Sequence, residues 1–386
     1  MNELNNSNIL LIDNQGLSHY TCYFAKGLAK HRQITLLGFS KEDFYETEAS
    51  NEINIQFHYL SKLFFMNKSM WNKLIQKPIQ IFKYLFKPIV FGNYSIVHIQ
   101  GHLPLFFLYV PILKIRKRKI FWTMHDIHLR PSSKGLRGKL ETSYVKIITQ
   151  PQFLLSSSNK IFVHGKNLKN GIILKGIASD KITIIPHFDY KYLKKYNTNN
   201  DKFKNKNQYI LFFGNIKPYK GLDVLINALK IVEKSVGKEK LNVLVAGKGS
   251  IENYEYLLDK NNLQYIHILN ENIPTNEIPN LFLNSKMVVL PYIDASQSGI
   301  IPLAYTFAKS VIVSNVGSLA EYVEHGKTGY VFNKGDTEEL AKYIIEYIQN
   351  DDLSNAMGNN AYNKLLSEMS LEFVCNIVNK TYNEFF

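Results

Sequence analysis

Short apolar runs alternate with amphipathic segments along most of the chain. The run Asn8 to Asp13 (NILLID) predicts a buried parallel strand, and His19 to Lys30 places its apolar residues on one helical face. Further runs predict strands of the same sheet at Ile34 to Phe39, Ile53 to Leu60, Ser95 to Gln100, Ile120 to Met124, Lys160 to His164 and Lys181 to Ile185. This order predicts a doubly wound α/β domain, whose ligands bind at the carboxyl ends of the strands.

A second alternation of strands and helices begins after a polar stretch. Residues 191–207 are rich in Asn, Lys and Asp, which is typical of a linker. Strands are then predicted at Tyr209 to Gly214, Leu241 to Ala246, Tyr265 to Leu269, Met287 to Leu290, Lys309 to Ser314 and Gly329 to Phe332. We therefore predict an N-terminal domain (1–190), the linker (191–207), a C-terminal domain (208–370) and a last helix (371–386) that packs back on the N-terminal domain.

Length, charge and cysteine content narrow the class of protein. The 386 residues suit two domains, and a formal net charge of +14 indicates anionic partners such as a nucleotide, a nucleic acid or a membrane. The two cysteines, Cys22 and Cys375, are too few for a disulfide framework and are interpreted as buried thiols. Because neither a signal peptide nor a run of about 20 apolar residues is found, we expect a cytoplasmic protein. The apolar stretch Leu103 to Leu113 is interpreted as a buried helix.

The segment 59–89 is unusual because it combines aromatic and aliphatic residues with six lysines and contains no Asp or Glu. Such a segment suits peripheral contact with the anionic inner face of a plasma membrane. A solvated helix face, whose lysine stems cover the core, is the alternative interpretation. A second basic cluster lies at Lys114 to Lys119. Nucleic acid is not expected as a partner, since no binding motif accompanies the charge.

Two loops carry the candidate chemistry. Leu211 to Gly221 (LFFGNIKPYKG) predicts a strand, a short loop and the start of a helix, and Leu290 to Ala304 (LPYIDASQSGIIPLA) repeats that order. Backbone N–H groups at helix N-termini and lysine ammonium groups together suit a diphosphate. The candidate ligand-binding residues are Gly214, Asn215, Lys217, Lys220, Gly221, Ser296, Gln297, Ser298 and Gly299.

Three further positions follow predicted strands. His125 follows Ile120 to Met124, where an imidazole can donate to a sugar hydroxyl or a phosphate oxygen, although an isolated histidine is also consistent with a structural role. Gly16 follows the first strand in a loop that faces the ligand edge, and a plain turn explains it equally well. Gly247 and Gly249 of VAGKG are also candidate ligand-binding residues, although this motif fits any strand followed by a turn.

Taken in order, the motifs resemble those of the retaining glycosyltransferases of the GT-B fold, family GT4, over nearly the whole chain. They are WTMHD, IIPH, FFGNIKPYKGLDVLINAL, VLVAGKG, and LPYIDASQSGIIPLAYTFAKSVIVSNVGSLAEYVEHGKTGYVF. The resemblance implies two Rossmann-like domains facing a central cleft, with a nucleoside-diphosphate sugar mostly on the C-terminal domain and a glycan or lipid-linked acceptor mostly on the N-terminal one. It implies that Lys220 contacts the donor diphosphate, that His125 lies near the donor sugar, and that Gly16 lies on the acceptor side. It implies no metal and no other cofactor.

The sequence departs from the family pattern at three positions. Asn215 stands where the family usually has Arg, and Ser296 and Ala304 stand where it has a pair of glutamates, so nucleoside recognition must differ. The function expected is transfer of a sugar with retention of configuration, in the synthesis of a bacterial surface polysaccharide. The alternatives are a non-catalytic relative that binds a nucleotide sugar or a partner transferase, a sugar-nucleotide 2-epimerase, and a nucleic-acid-binding protein.

Overall fold

Two compact units make up the chain. A computed structural model describes residues 8–13, 18–38, 40–59, 86, 88–101, 106–126, 143, 146–147, 151–196, 208–258 and 264–386. Contacts between Cα atoms assign residues 1–185 and 375–386 to the first unit and residues 186–374 to the second.

The first unit is built on a parallel sheet, as the apolar runs predict. Its described strands are β1 (Ile9–Ile12), β2 (Ile34–Gly38), β3 (Ile55–Tyr59), β4 (Ile96–Gln100), β5 (Lys119–Met124), β6 (Lys160–Val163) and β7 (Ile182–Ile184). Their spatial order is β3-β2-β1-β4-β5-β6-β7. Strands β2 and β3 are added on one side of β1 and strands β4 to β7 on the other, so the strand order reverses between β1 and β4. Side chains of β1, β4 and β5 are buried on both faces, which explains why these runs are mostly apolar, whereas the edge strand β3 alternates between half-buried and exposed residues.

Helices cover the first sheet. They are α1 (Ser18–Ala29), α2 (Lys41–Glu46), α3 (Val110–Ile115), α4 (Pro151–Ser157) and α5 (Lys166–Ile173). The apolar pattern did not indicate α2, which begins at a serine N-cap: the hydroxyl of Ser40 accepts the N–H of Asp43 at 3.1 Å. The stretch Leu103 to Leu113, predicted as one buried helix, contains a 3-10 turn at Phe106–Tyr109 followed by α3, with Pro111 in the first turn of α3.

The second unit repeats the architecture. Its described strands are β8 (Tyr209–Phe213), β9 (Val243–Ala246), β10 (Ile266–Leu269), β11 (Ser285–Leu290), β12 (Val311–Ser314) and β13 (Gly329–Phe332). The spatial order β10-β9-β8-β11-β12-β13 is again entirely parallel, with the reversal between β8 and β11. The prediction of two doubly wound parallel sheets is therefore confirmed.

The helices of the second unit differ in length from one another. They are α6 (Leu222–Val236), α7 (Ile278–Leu283), α8 (Ile300–Thr306), α9 (Thr337–Gln349), α10 (Asp351–Glu368) and α11 (Leu371–Asn383), the last of which continues into the first unit from Cys375. The segment near Glu252 to Lys260, for which the sequence pattern predicts a helix, contains a 3-10 helix at Ile251–Leu257. Residues 191–196, predicted as the start of a linker, form a 3-10 helix that buries Tyr192 and Leu193.

Several predicted features lie outside the described residues: Gly16, the basic segment 59–89 apart from Tyr59, Phe86 and 88–89, and residues 197–207 of the predicted linker. Both cysteines are buried and neither forms a disulfide, as predicted. In the described part of the chain, no helix combines the length and the apolar character that crossing a bilayer requires.

Candidate functional site

The two predicted phosphate loops follow neighbouring strands at the point where the second sheet reverses. The loop from Gly214 to Lys220 follows β8, and the loop from Pro291 to Gly299 follows β11, to which β8 is hydrogen-bonded. A crevice at the carboxyl ends of parallel strands opens at such a reversal and is where doubly wound sheets bind ligands. The topology thus brings together two segments that are about seventy residues apart in sequence.

The loops are joined through their backbones. The N–H of Ile293 donates to the carbonyl oxygen of Tyr219 at 2.8 Å. Gly221 adopts a φ of +68°, and a Cβ built on it would lie 1.9 Å from the carbonyl oxygen of Pro291. Only glycine meets both demands, the left-handed backbone and the close approach.

The ammonium group of Lys220 is held at the centre of this pair of loops. Its Nζ lies 5.1 Å from the centre of the Tyr292 ring and 2.9 Å from the position that a Cβ on Gly214 would occupy. Desolvation by burial lowers the pKa of Lys220, and the nearby Tyr219 acts in the opposite direction. In the part of the chain that the structure describes, no carboxylate neutralises this cation. A partly buried ammonium without a protein counter-ion favours an anionic ligand.

The remaining residues of the first loop are accessible. Asn215 and Lys217 are exposed, and Lys217 precedes a 3-10 turn over Pro218–Lys220. The loop therefore presents an exposed lysine, Lys217, three residues before the partly buried Lys220.

Gly247 and Gly249 act through packing. A Cβ on Gly247 would lie 2.2 Å from the carbonyl oxygen of Gly214, and a Cβ on Gly249 would lie 2.1 Å from that of Ile216. The N–H of Ile216 donates to the carbonyl oxygen of Lys248 at 2.9 Å. These glycines let the loop after β9 lie against the loop after β8, and in this way they fix the backbone around Gly214.

The small-residue loop after β11 turns into α8, with Gly299 as the N-cap residue. The Ser298 hydroxyl is buried and accepts the N–H of Ile300 at 3.3 Å. The Oε1 atom of Gln297 is buried without a hydrogen-bond partner among the described residues. Ser296 accepts the N–H of Ser318 through its carbonyl oxygen at 3.1 Å, so its backbone is committed to a neighbouring loop.

Sequence patterns did not identify two aromatic residues that line this loop. A Cβ on Gly299 would lie 2.7 Å from the Tyr190 hydroxyl and 3.2 Å from Nε2 of His187. Burial lowers the pKa of His187 to about 4, so its ring is neutral at pH 7. His187 belongs to IIPH, the only sequence signal that pointed to it, and its proximity to Gly299 depends on tertiary packing over more than a hundred residues.

No carboxylate occupies the two positions where a glutamate pair is expected. Ser296 is half-buried, and Ala304 is fully buried within α8. Ala304 thus contributes to the core of the second unit and offers no group to a ribose.

His125 lies in the first unit, directly after β5 and next to Met124. It is 8% exposed, and both ring nitrogens have partners: Nδ1 lies 3.0 Å from Nε2 of His164, and Nε2 lies 3.3 Å from Oε1 of Gln100. The imidazole is therefore oriented by the protein rather than free to rotate.

The first unit also brings together His19, Asp43 and Glu46, a set that sequence spacing did not indicate. Nε2 of His19 lies 3.0 Å from Oδ1 of Asp43, and Nδ1 lies 3.8 Å from Oε2 of Glu46. Burial raises the pKa of Asp43, and the nearby imidazole of His19 opposes that shift. A partly exposed contact between a histidine and two carboxylates accounts for this geometry.

Comparison with known proteins identifies the family of the chain. Residues 194–364 match the family model described as "Glycosyl transferases group 1", and residues 14–188 match the model described as "Glycosyltransferase Family 4". The chain belongs to the group 1, family 4 glycosyltransferases. The family models together span both units, and the motifs on which the resemblance rests lie within them.

Individual relatives of this glycosyltransferase chain are distant. The capsular polysaccharide biosynthesis glycosyltransferase CapM of Staphylococcus aureus is 26% identical over 242 residues, which are 62% of this chain and 59% of CapM. The chain spans about three-fifths of the length of such curated relatives.

Solved structures match the fold over the whole chain. A glycosyltransferase from Rickettsia africae is 18% identical, covers 99% of both chains and superposes with a TM-score of 0.68. HepE of Anabaena, solved in complex with UDP-glucose, is 16% identical, covers 98% of this chain and 99% of that one, and gives a TM-score of 0.65. The predicted GT-B fold is thereby confirmed.

Proposed function

We propose that this protein transfers a sugar from a nucleoside-diphosphate sugar to a glycan or lipid-linked acceptor, with retention of anomeric configuration. The observation that carries the proposal is the Lys220 ammonium, which is partly buried at the reversal of the second sheet without a carboxylate partner among the described residues. A diphosphate supplies the missing negative charge. HepE, which shares the fold, was solved with UDP-glucose, and this supports a nucleotide donor.

The proposed reaction breaks one bond to the anomeric carbon and forms another. The bond between the anomeric carbon and the β-phosphate oxygen breaks, and the acceptor oxygen bonds to the same face of that carbon. The acceptor proton passes to an oxygen of the departing diphosphate. Lys220 stabilises the charge that develops there, with Lys217 as an accessible second cation, so the mechanism asks for no metal ion. His125 is assigned to the donor sugar and Gly16 to the acceptor side, on the basis of the family resemblance.

The Lys220→Ala variant tests this assignment. We expect kcat to fall roughly a hundred- to a thousandfold, because removing one group that stabilises developing charge costs about 3 to 4 kcal/mol of barrier. Turnover is followed as release of the nucleotide from a panel of donors, with and without EDTA: nucleoside diphosphate from UDP-, GDP- and ADP-sugars, and CMP from CMP-sugars. Lys234→Ala is the matched control, since Lys234 is exposed at the far end of α6.

Three outcomes would redirect the proposal. A Lys220→Ala protein with an unchanged melting temperature and normal turnover would remove Lys220 from the mechanism. Donor binding without turnover by the wild-type protein would favour the non-catalytic relative, which the residues at Ser296 and Ala304 make a reasonable alternative. Conversion of the donor without any acceptor would identify an epimerase.

The acceptor proposed is lipid-linked and presented at the inner face of a plasma membrane, in the synthesis of a surface polysaccharide. CapM, a capsular polysaccharide biosynthesis glycosyltransferase, supports the pathway class. The basic and aromatic composition of 59–89, most of which lies outside the described residues, supports peripheral membrane contact.

A further inference from the structure

A basic cavity lies at the amino ends of three neighbouring strands of the first sheet. It has a volume of about 650 Å³, and its lining includes residues 117–119, which lead into β5, residues 158–160, which lead into β6, and residues 180–181, which precede β7. His125 follows the opposite end of β5, whose 6 residues span roughly 20 Å. The cavity is therefore separate from the edge of the sheet where a donor or acceptor is expected.

Positive charge dominates the lining of this cavity. Among the described lining residues, Asp180 is the one carboxylate, and it is exposed. A second carboxylate, Glu384, approaches Lys160, with Oε2 3.1 Å from Nζ. An excess of cations in a concave site favours an anionic ligand. The lining cations are Lys114, Lys117, Arg118, Lys119, Lys160 and Lys181.

The guanidinium group of Arg118 is held in place at the wall of the cavity. Its Nη2 donates to the carbonyl oxygen of Gly92 at 3.2 Å, and its central carbon lies 4.8 Å from the centre of the Tyr94 ring. Burial lowers the pKa of Arg118; Tyr94 opposes this shift, and the neighbouring cation of Arg116 adds to it. Among the described residues, no carboxylate pairs with this half-buried group. A bound anion would offset the cost of that arrangement.

Backbone pairing keeps Lys119 and Lys160 at the same edge of the sheet. The Oδ1 atom of Asn159 accepts the N–H of Ile120 at 2.8 Å, and the backbone N–H of Asn159 donates to the carbonyl oxygen of Ile120 at 2.7 Å. The start of β6 is thus fixed beside the start of β5. The Nζ atom of Lys119 lies 5.9 Å from the centre of the Phe385 ring, so this ammonium is oriented by an aromatic ring rather than by a carboxylate.

Helix dipoles explain part of the charge. Helices α3 and α4 both end at the cavity, and Nζ of Lys181 donates to the carbonyl oxygen of Ser156 in the last turn of α4 at 3.2 Å. A lysine at such an end is stabilised by the helix dipole. In the described part of the chain, the side chains of Arg118 and Lys119 donate to no carbonyl group of either helix. Their presence in the cavity therefore needs another explanation.

We propose that this cavity is a second anion site, which binds the phosphate group of a phosphate ester. A guanidinium group binds phosphate oxygens through its planar fork, and ammonium groups add mobile point charges. A soluble phosphate ester and a phospholipid headgroup share this chemistry. The site goes beyond the proposed transfer reaction, because none of its residues is assigned to the sugar donor or to the acceptor.

Arginine NMR of the full chain tests the proposal directly. The chain contains five arginines, so ¹⁵N-arginine labelling gives five Nε–H signals, and Arg118→Lys identifies the signal of Arg118. We expect inorganic phosphate at constant ionic strength to shift this signal saturably, and sodium chloride not to do so. Residues 186–374 of the second unit contain no arginine, so phosphate bound near Lys220 does not produce this signal.

Two double substitutions separate the cavity from general charge. Lys117→Gln with Lys119→Gln removes two of the lining cations. Lys30→Gln with Lys41→Gln removes the same charge from exposed positions on either side of β2, which lies across β1 from the cavity. We expect the first pair to raise the Kd for phosphate about tenfold or more, because charge-assisted contacts are lost, and the second to change it by no more than about twofold.

Two further probes distinguish the source of the phosphate group. They are glycerol 3-phosphate and monomeric dihexanoyl phosphatidic acid, which carry the group on a soluble molecule and on a lipid. Binding of the lipid that is tighter by about tenfold or more would support a headgroup site, since its acyl chains add apolar contact. Comparable binding of the two would support a site for a soluble ester.

Other results would overturn the proposal. They are the lack of a saturable Arg118 shift with all three phosphates, a shift that chloride reproduces, and equal phosphate affinity of the wild type and the Lys117, Lys119 variant. If that variant does not fold, Lys117→Gln alone replaces it, because Lys117 is exposed. These measurements need no sugar transfer, so they decide the proposal even if the proposed function fails.

Discussion

Two lysines of the second unit show how context decides the role of one residue type. Lys220 has a pKa lowered by burial and lies in a loop at the ligand edge of the sheet, over the Tyr292 ring. Lys309 lies between α8 and β12, where burial lowers its pKa to about 8. Neither cation has a carboxylate partner in the part of the chain described. The proposed diphosphate ligand would offset the desolvation cost of the buried Lys220 ammonium. Among the described residues, no carboxylate offsets the same cost for Lys309.

Replacing Lys309 by Met should therefore stabilise the protein at neutral pH. In the folded state the pKa is about 8, below the ordinary value of about 10.4, so the unfolded chain binds more protons between these values and wild-type stability rises with pH there. We expect Lys309→Met to raise the free energy of unfolding at pH 7 by about 1 to 3 kcal/mol, a gain that shrinks to nothing above about pH 10.5.

Urea unfolding at pH 7 and at the alkaline end of this window measures the difference. Lys334→Met is the control, because Lys334 is exposed in the loop after β13. A gain that is the same at both pH values would show that the apolar surface of Met, rather than loss of a buried charge, is responsible.

At the scale of elements, the loop between β8 and α6 depends on one backbone conformation. The 3-10 turn Pro218–Lys220 ends at Gly221, whose left-handed φ starts α6 and aims Lys220 inward over Gly214. Sequence patterns predicted the strand and the helix here, because both have apolar faces that must be buried. They did not predict that Gly221 packs against the backbone of Pro291, since that contact involves a second loop.

Two alanine substitutions separate backbone strain from steric conflict. Gly221 and Gly335 both have positive φ, +68° and +77°, but a Cβ on Gly335 would meet nothing within 4 Å. We expect Gly335→Ala to cost about 1 to 2 kcal/mol of stability and to leave transfer unchanged. Gly221→Ala should cost more than this and also lower kcat, because the loop that holds Lys220 must move.

Thermal unfolding and donor turnover check this pair. Equal destabilisation by the two substitutions would mean that the loop after β11 yields easily to a methyl group. The link between Gly221 and the position of Lys220 would then be wrong.

At the scale of the whole molecule, the last residues of the chain complete the first unit. Arg32 donates from Nε to Oδ1 of Asn379 at 2.9 Å, and the buried ring of Tyr382 packs edge-on against Phe121, with centroids 4.6 Å apart. Residues 375–386 thus belong to the first unit, where the Tyr382 hydroxyl contacts His98. The formal net charge of +14 also belongs to this scale, because it acts on partners through the summed field.

The lysines of segment 59–89 predict contact with an anionic membrane surface. We expect the wild-type protein to float with anionic liposomes and not with neutral ones. Replacing Lys62, Lys68, Lys73, Lys77, Lys83 and Lys87 by Gln should abolish flotation, since each lysine near an anionic surface contributes about 1 kcal/mol. The control variant replaces six exposed lysines of the second unit by Gln and so removes the same charge. They are Lys234, Lys238, Lys240, Lys248, Lys334 and Lys342. Equal behaviour of both variants would assign binding to net charge alone.

The sequence by itself determined the parallel strands, the helices with long apolar faces, the two-unit architecture and the ordered motifs of the family. These features depend on local patterns of burial, which every strand such as β1 or β11 carries in its own residues. Only the tertiary structure decided which groups meet: His187 with Gly299, Gly221 with Pro291, and His164 with His125. Such contacts join residues far apart in the chain, and their energy depends on packing geometry that no local pattern encodes.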